Sequence, residues 1–161
     1  MDFQSIECII YDFDGVMTNN QCLIDQNGVE AVFVNRSDGY AVSQLREMGI
    51  VQAIISTEAN AVVEKRAEKL GIPVVYGVSD KAQAVLKFSM KHKIQLSRTM
   101  FIGNDLNDIP AFRVTGMKGA PADAEEEILE QADWISSKKG GCGVIRELYR
   151  EIKRRKAETE V

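Results

Sequence analysis

The chain has 161 residues, of which 45% are apolar and 27% charged, and its net charge is −4. This balance predicts one soluble globular domain, 1–161, and excludes a general nucleic-acid-binding surface. Three cysteines without a CxxC pair, no basic leader and no apolar run of membrane length predict a cytoplasmic protein that does not act at a membrane.

Short apolar segments alternate with helical patterns along the chain. The segments typical of buried parallel strands are 6–13, 51–56, 73–77 and 99–104, with a weaker one at ADWIS. The predicted helices are 38–50, 60–72, 80–94, 107–116 and 143–156. This alternation predicts an α/β fold, a doubly wound, Rossmann-like parallel sheet with helices on both faces. We expect the tail beyond the last helix to fray.

Residues 19–35 interrupt the alternation. Two extended runs flank Asn27-Gly28, a dipeptide typical of β-hairpin turns. A hairpin directly after the first strand would project over the carboxyl end of that strand. Because open α/β sheets bind ligands at the carboxyl ends of their strands, we expect the hairpin to form a flap over a binding site.

Two carboxylates end the first predicted strand. Asp12 and Asp14 are two positions apart, so in an extended chain their side chains point the same way. Both ionise only with a cation between them, unless one takes a proton. Mg²⁺ prefers oxygen ligands and leaves positions for water and phosphate. An ordinary turn at Asp14-Gly15 is the alternative interpretation.

Polar residues follow other predicted strands as well. Ser56 ends the second strand, and Asn104, Asp105 and Asp108 follow the fourth, where one helix cap would need fewer polar groups. Lys81 lies in the first turn of a helix, where the macrodipole disfavours a cation and favours an anion. We expect these residues to converge on a phosphate; a helix cap and a solvated lysine are the alternatives.

The ordered motifs DFDGVMT, AIIS, DK and GNDLND resemble those of the haloacid dehalogenase superfamily of aspartate-nucleophile phosphatases, over nearly the whole chain. VNRSDGYAV, RAEKLGI, GAPADA and GGCGVIRE are similar to its capless phosphatases of acidic-sugar biosynthesis. These include 3-deoxy-manno-octulosonate 8-phosphate phosphatase and phosphatases of nine-carbon 2-keto sugar-acid 9-phosphates; a similar module is fused to some sialic-acid cytidylyltransferases. The resemblance implies no separate cap domain, and a homotetramer whose sites lie at subunit interfaces beneath the flap.

The resemblance also implies a role for each site residue. Asp12 would attack phosphorus, and Asp14 would protonate the leaving oxygen and then activate water. Ser56 and Lys81 would bind phosphoryl oxygens. The implied Mg²⁺ ligands are Asp12, Asp14 through its carbonyl, Asn104 and Asp105. The implied substrate-binding residues are Asn35, Arg36, Ser37, Asp38, Gly39, Thr57, Glu58, Arg66, Asn107 and Asp108.

Four residues depart from the pattern that the resemblance implies. Asn104 stands where an aspartate is usual, and Cys142 stands where relatives often carry a charge. Ser37 and Glu58 replace two arginines usual in the octulosonate enzymes and resemble the nine-carbon sugar-acid phosphatases. Arg66 is retained and would contact a substrate carboxylate.

These features lead us to expect a Mg²⁺-dependent phosphatase acting on a phosphorylated nine-carbon 2-keto-3-deoxy sugar acid. The enzymatic alternative is the octulosonate 8-phosphate activity. A catalytically weak assembly module partnering a sugar-acid cytidylyltransferase is the second alternative, which Asn104 keeps open. A receiver-type signalling domain is the third, although the hairpin and GNDLND count against it.

Overall fold

The computed structural model describes residues 2–158, so Met1 and the end of the tail, 159–161, lie outside the described residues. The strands are β1 (Cys8–Tyr11), β2 (Thr18–Ile24), β3 (Glu30–Val34), β4 (Val51–Ile55), β5 (Val74–Val75), β6 (Thr99–Ile102), β7 (Met117–Ala120) and β8 (Trp134–Ile135). The helices are α1 (Arg36–Glu47), α2 (Val62–Leu70), α3 (Lys81–His92), α4 (Ile109–Val114), α5 (Glu126–Leu129) and α6 (Val144–Ala157). None of the helices among these residues is long and apolar enough to cross a bilayer.

Six strands form one parallel sheet in the order β5-β4-β1-β6-β7-β8, which confirms the doubly wound α/β fold. Successive residues of β1 point to opposite faces, where they enter two separate apolar clusters. Ile9 and Tyr11 pack in the cluster that includes α1, α2 and α6. Cys8 and Ile10 pack in the cluster that includes α3 and α4. Both faces of the central strand are therefore buried beneath helices.

The flap confirms the hairpin predicted at 19–35. Strands β2 and β3 pair antiparallel as a separate two-stranded sheet. Gly28 adopts φ +78° in the turn, and the Asp25 carboxylate accepts hydrogen bonds from the N–H groups of Asn27 and Val29. Val32 and Val34 pack against the core. This inner face anchors the flap above the carboxyl end of β1.

Several predicted boundaries were wrong. Strand β1 ends at Tyr11, because a turn begins within the Asp12–Asp14 segment. The predicted helix 107–116 is a 3₁₀ turn, Leu106–Asp108, followed by the short α4. Strand β7 was missed because Lys118 and Gly119 have low strand propensity. Gly119 fits there since a Cβ would lie 2.4 Å from Ile102 Cδ1. Helix α6 continues to Ala157, past the expected start of fraying.

Candidate active site

The carboxyl ends of β1, β4 and β6 are adjacent in the sheet and bring their polar residues into one cleft. The cleft has a volume of about 190 Å³. Its lining residues are Asp12, Asp14, Asn20, Ser56, Thr57, Asn104, Asp105 and Asn107. Parallel pairing explains this convergence, because the side chains that follow neighbouring strands meet at one edge of the sheet.

Lys81 holds the buried side of the cleft. Asp80 caps helix α3 by accepting from Gln83 N–H, which places Lys81 at the first helical position. Lys81 is 1% exposed, and its Nζ lies 2.8 Å from Asp12 Oδ1 and 2.5 Å from Asp108 Oδ1. Burial lowers the pKa of Lys81, but the two carboxylates outweigh it and the net shift is upward. The ammonium therefore stays charged beside Asp12.

Asp108 lies behind the cleft, and the substrate contact predicted for it stays a prediction. It is fully buried, and one oxygen pairs with Lys81 while the other accepts from Asn104 N–H at 2.8 Å and Asp105 N–H at 3.2 Å. At Gly103 an added Cβ would come within 2.6 Å of the Asp108 side chain. Asp108 therefore positions Lys81 and the 104–105 turn, and both of its oxygens are already engaged.

The two predicted catalytic carboxylates hold protons more tightly than free aspartates. Burial, followed by repulsion from Asp108, raises the pKa of Asp12 to about 7, although Lys81 opposes the shift. Burial also raises the pKa of Asp14, with smaller upward contributions from Glu58 and Glu30 and a downward one from Thr18. An uncompensated charge on Asp12 is thus costly, and a cation beside it would restore the ionised form.

The residues present fit a hard divalent cation. The amide of Asn104 points one of its two end atoms at the Asp14 carbonyl oxygen, 2.7 Å away, and at Asp12 Oδ2, 3.2 Å away. With nitrogen in that place the amide donates two hydrogen bonds; with oxygen, three oxygens meet and require a cation between them. Gly15 allows this approach, because a Cβ there would lie 2.0 Å from Asn104 Nδ2.

The candidate ligand set depends on amide and main-chain oxygens. Among the described residues, no three Asp, Glu, His or Cys side chains form a metal cluster by themselves. Asp105 lines the cleft, but its Oδ1 accepts from Leu106 N–H, so part of the carboxylate caps the following turn. Asp12, the Asp14 carbonyl and Asn104 are the better candidates for ligands.

Of the other predicted substrate residues, three lie at the cleft or beside it. Thr57 and Asn107 line it, and Asn107 Nδ2 donates to Thr57 Oγ1 at 3.2 Å. Glu58 lines an adjoining cavity beneath the flap. Its backbone N–H donates to Ser56 Oγ at 3.1 Å, which positions that buried hydroxyl.

The predicted residues at the start of α1 lie in other surroundings. Asn35 caps α1, and its carbonyl accepts from Arg66 Nη2 at 3.0 Å. Asp38 is 2% exposed and accepts from Arg146 N–H at 2.9 Å, so it caps the start of α6. The substrate contact predicted for Asp38 stays a prediction, and in the structure the residue caps α6. Burial raises its pKa to about 6 despite that hydrogen bond and nearby Arg66.

Ser37 belongs to a separate cavity of about 410 Å³, which Cys142, Tyr40 and Arg146 also line. Arg36 is exposed, and Gly39 packs within α1, where a Cβ would lie 3.6 Å from Leu70. Within one chain these residues do not meet the cleft. The GGCG loop reaches it indirectly: Gly141 N–H donates to Val16 O, so the loop supports the turn that follows Asp14.

Sequence reasoning missed two residues at the site. Asn20 lines both the cleft and the cavity beneath the flap. Its φ of 63° is left-handed, which asparagine tolerates better than most residues, so the Asn19-Asn20 pair was an available signal. Glu30 faces the same cavity from the flap. Its position depended on which face of β3 turns inward, and the sequence alone did not show that.

Comparisons with known proteins agree with this geometry. Residues 43–148 match the model of the haloacid dehalogenase-like hydrolase family. The 3-deoxy-D-manno-octulosonate 8-phosphate phosphatase of Yersinia pestis is 34% identical over 89% of this chain and 78% of its own. N-acylneuraminate cytidylyltransferase A of Danio rerio is 24% identical over 91% of this chain, which spans only 35% of that enzyme.

The chain is also similar in three-dimensional structure to a solved protein. That protein is the 3-deoxy-D-manno-octulosonate 8-phosphate phosphatase of Moraxella catarrhalis, crystallised with a magnesium ion, a phosphate ion and KDO. The TM-score is 0.90 at 31% identity, over 95% of this chain and 88% of that one. The chain therefore belongs to the haloacid dehalogenase-like hydrolases, in the capless phosphatase group that contains the octulosonate 8-phosphate phosphatases.

Proposed function

We propose that the chain is a Mg²⁺-dependent phosphomonoesterase that hydrolyses the phosphate ester of a 2-keto-3-deoxy sugar acid through an aspartyl-phosphate on Asp12. The observation that carries the proposal is the placement of the Asp12 carboxylate. One of its oxygens lies against the Lys81 ammonium and the other against the oxygen cluster of Asp14 and Asn104. A carboxylate held between an ammonium and a candidate cation position is an oriented nucleophile for an anionic phosphate.

In the first step, a carboxylate oxygen of Asp12 forms a bond to phosphorus while the bond to the sugar oxygen breaks. Asp14 gives its proton to that leaving oxygen, a task suited to its raised pKa. In the second step, Asp14 takes a proton from water, which attacks phosphorus and displaces Asp12. The products are the dephosphorylated sugar acid and inorganic phosphate, and both carboxylates return to their starting state.

Ser56 and Lys81 bind the phosphoryl group in this proposal. Ser56 Oγ accepts from Glu58 N–H, and none of its described contacts uses its hydroxyl hydrogen, which is available to a phosphoryl oxygen. Lys81 supplies positive charge for the oxygens that gain charge in the transition state. Mg²⁺, held by Asp12, the Asp14 carbonyl and Asn104, would offset the repulsion of nucleophile and phosphate, ~4 kcal/mol at 4 Å and a dielectric of 20.

The nine-carbon substrate is favoured by Ser37 and Glu58, which resemble that subgroup. The octulosonate 8-phosphate alternative is favoured by the relatives that carry this activity in their names. Release of inorganic phosphate from both substrates, expressed as kcat/KM, separates the two. We expect the nine-carbon 9-phosphate to be preferred, and a clear preference for the eight-carbon compound would overturn this choice.

A catalytically weak assembly module is the second candidate, because a similar segment forms part of the zebrafish cytidylyltransferase. Phosphate release from p-nitrophenyl phosphate with added Mg²⁺ tests it directly. We expect activity in the natural chain and none in Asp12→Asn. Equal rates for the two proteins would remove the enzyme proposal. Membership of the hydrolase family leaves no support for the receiver alternative.

The homotetramer remains a proposal that the flap supports. The outer face and turn of the flap expose Leu23 by 65%, Val29 by 62% and Phe33 by 72%. Apolar groups in a contiguous exposed patch mark an interaction surface. We expect light scattering to give a mass of four chains, which Phe33→Glu lowers. A monomeric natural chain would contradict the proposal that neighbouring subunits complete the site.

A further inference from the structure

A second cavity opens from the cleft beneath the flap. Its volume is about 260 Å³, and it shares Asp14 and Asn20 with the cleft. The remaining lining residues are Gln21, Cys22, Glu30, Val32, Glu58 and Val62. Because Asp14 is the proposed proton donor to the leaving oxygen, the part of the substrate that carries this oxygen must lie in or against this cavity.

The charge of this cavity limits what it binds. Glu30 and Glu58 add two carboxylates to Asp14, and none of the lining residues is Lys, Arg or His. A carboxylate of the substrate would therefore meet only negative charge here. Hydroxyl groups suit the cavity, because each can donate a hydrogen bond to a glutamate oxygen. The cavity fits a polyhydroxylated chain and excludes the acid end of the substrate.

Glu30 is held in place for such a contact. It lies opposite Ile24 in the flap, in register with the Cys22–Val32 pair that lines the cavity. Asn60 joins it to the loop after β4, since Asn60 Nδ2 donates to Glu30 Oε2 at 3.1 Å and Asn60 N–H donates to Glu58 Oε1 at 2.7 Å. Among the described contacts, each glutamate keeps its other oxygen without a hydrogen-bond donor.

We infer that Glu30 is a specificity-determining residue, which with Glu58 accepts hydrogen bonds from the hydroxyl groups next to the phosphoester. The substrate class is then a primary-alcohol phosphate on a chain with hydroxyls at the adjoining carbons, whose acid group lies outside the cavity. This inference rests on the proposed phosphatase function. What the inference adds is the role of the flap residue Glu30 and the part of the substrate that Glu30 contacts.

The test compares a substrate with these hydroxyls and one without them. Sorbitol 6-phosphate carries hydroxyls next to the ester, whereas p-nitrophenyl phosphate has no hydroxyl groups. Neither compound carries a carboxylate. For Glu30→Ala we expect the ratio of kcat/KM for sorbitol 6-phosphate over p-nitrophenyl phosphate to fall about tenfold, through KM of the sugar phosphate. Glu30→Gln keeps an acceptor oxygen and loses the charge, so its ratio should fall by less.

Asn60→Ala is the matched control, because it removes the link between flap and loop and leaves the Glu30 carboxylate. If Glu30 only positions the flap, Asn60→Ala lowers the substrate ratio as much as Glu30→Ala does, and the inference fails. It fails also if Glu30→Ala leaves the ratio unchanged. A natural chain that releases no phosphate from p-nitrophenyl phosphate with Mg²⁺ defeats the proposed function itself, which is a distinguishable result.

Discussion

The proposed phosphoryl end and the proposed leaving-group end of the site differ in how their charged side chains are held. At the phosphoryl end Asp12, Lys81 and Asp108 are buried and paired with one another at the ends of core elements. At the leaving-group end Glu30 and Glu58 are half-buried on the flap and a loop, joined through one asparagine. Under the proposed function, the bond-breaking chemistry would thus be tied to the stability of the fold, whereas selectivity would lie on segments that can change without disturbing it.

The largest effect should come from Asp12→Asn. The neutral amide cannot attack phosphorus, so kcat should fall by at least about a thousandfold on every substrate. Lys81 keeps its pair with Asp108, so the free energy of unfolding should change far less than activity does. Phosphate release and urea denaturation measure the two quantities. Substantial residual activity would show that the nucleophile lies elsewhere.

Lys81→Met tests the link between charge pairing and stability at the phosphoryl end. The variant leaves Asp12 and Asp108 buried without their shared cation, which should lower the free energy of unfolding by about 3–5 kcal/mol. Lys87→Met on the same helix is the matched control, since Lys87 is exposed and should change stability by less than about 0.5 kcal/mol. Similar unfolding curves for both variants would contradict the description of a buried ion pair.

The difference between residues that face the cleft and buried residues that support it explains which parts of the site the sequence could predict. Apolar runs ending in Asp12, Ser56 and Asn104 indicated the strand ends, and parallel pairing then implied their convergence. The sequence did not distinguish residues that face the cleft from those that support it. Asp108 occurs in the same motif as the cleft residues Asn104 and Asp105, and Asp38 occurs in a motif predicted to bind substrate. Both are nevertheless buried by contacts with elements distant in the chain, Asp108 with Lys81 and Asp38 with Arg146. Such contacts depend on tertiary packing, which no local pattern encodes.

Asp38 tests whether burial alone destabilises the ionised form of a carboxylate that lies away from the proposed phosphoryl end. Its surroundings are the N–H groups of Ile145 and Arg146 on α6, Arg66 on α2 and the phenol of Tyr11 on β1. Because its pKa is about 6 in the folded chain against an ordinary 3.8, the folded state binds this proton more tightly than the unfolded state does. The resulting stabilisation is complete below pH 4 and is lost as the pH rises through 6.

Asp38→Asn does not titrate and still offers an oxygen to Arg146 N–H. Relative to the natural chain, its free energy of unfolding should therefore rise by about 2.4 kcal/mol between pH 4 and pH 7, measured by urea denaturation. Asp25→Asn is the control with the opposite sign, because hydrogen bonds from Val29 and Asn27 lower the pKa of that exposed carboxylate. If the free energy of unfolding depended on pH in the same way for Asp38→Asn and the natural chain, burial would not raise the pKa of Asp38.

The smallest effect concerns Asn104, which stands where the family resemblance leads us to expect an aspartate. Asn104→Asp would add a carboxylate beside Asp12 Oδ2 and the Asp14 carbonyl. Since added negative charge strengthens binding of a hard cation, half-maximal activity should need about tenfold less Mg²⁺, or about 1.4 kcal/mol. Without Mg²⁺ the same carboxylate repels Asp12, so the melting temperature should fall and then recover as Mg²⁺ is added.

Asn107→Asp is the control, because Asn107 lies in the same cleft but outside the oxygen cluster. It should change the Mg²⁺ requirement and the melting temperature by less. An unaltered Mg²⁺ dependence in Asn104→Asp would mean that the natural amide turns its nitrogen inward and that the ion is held without it.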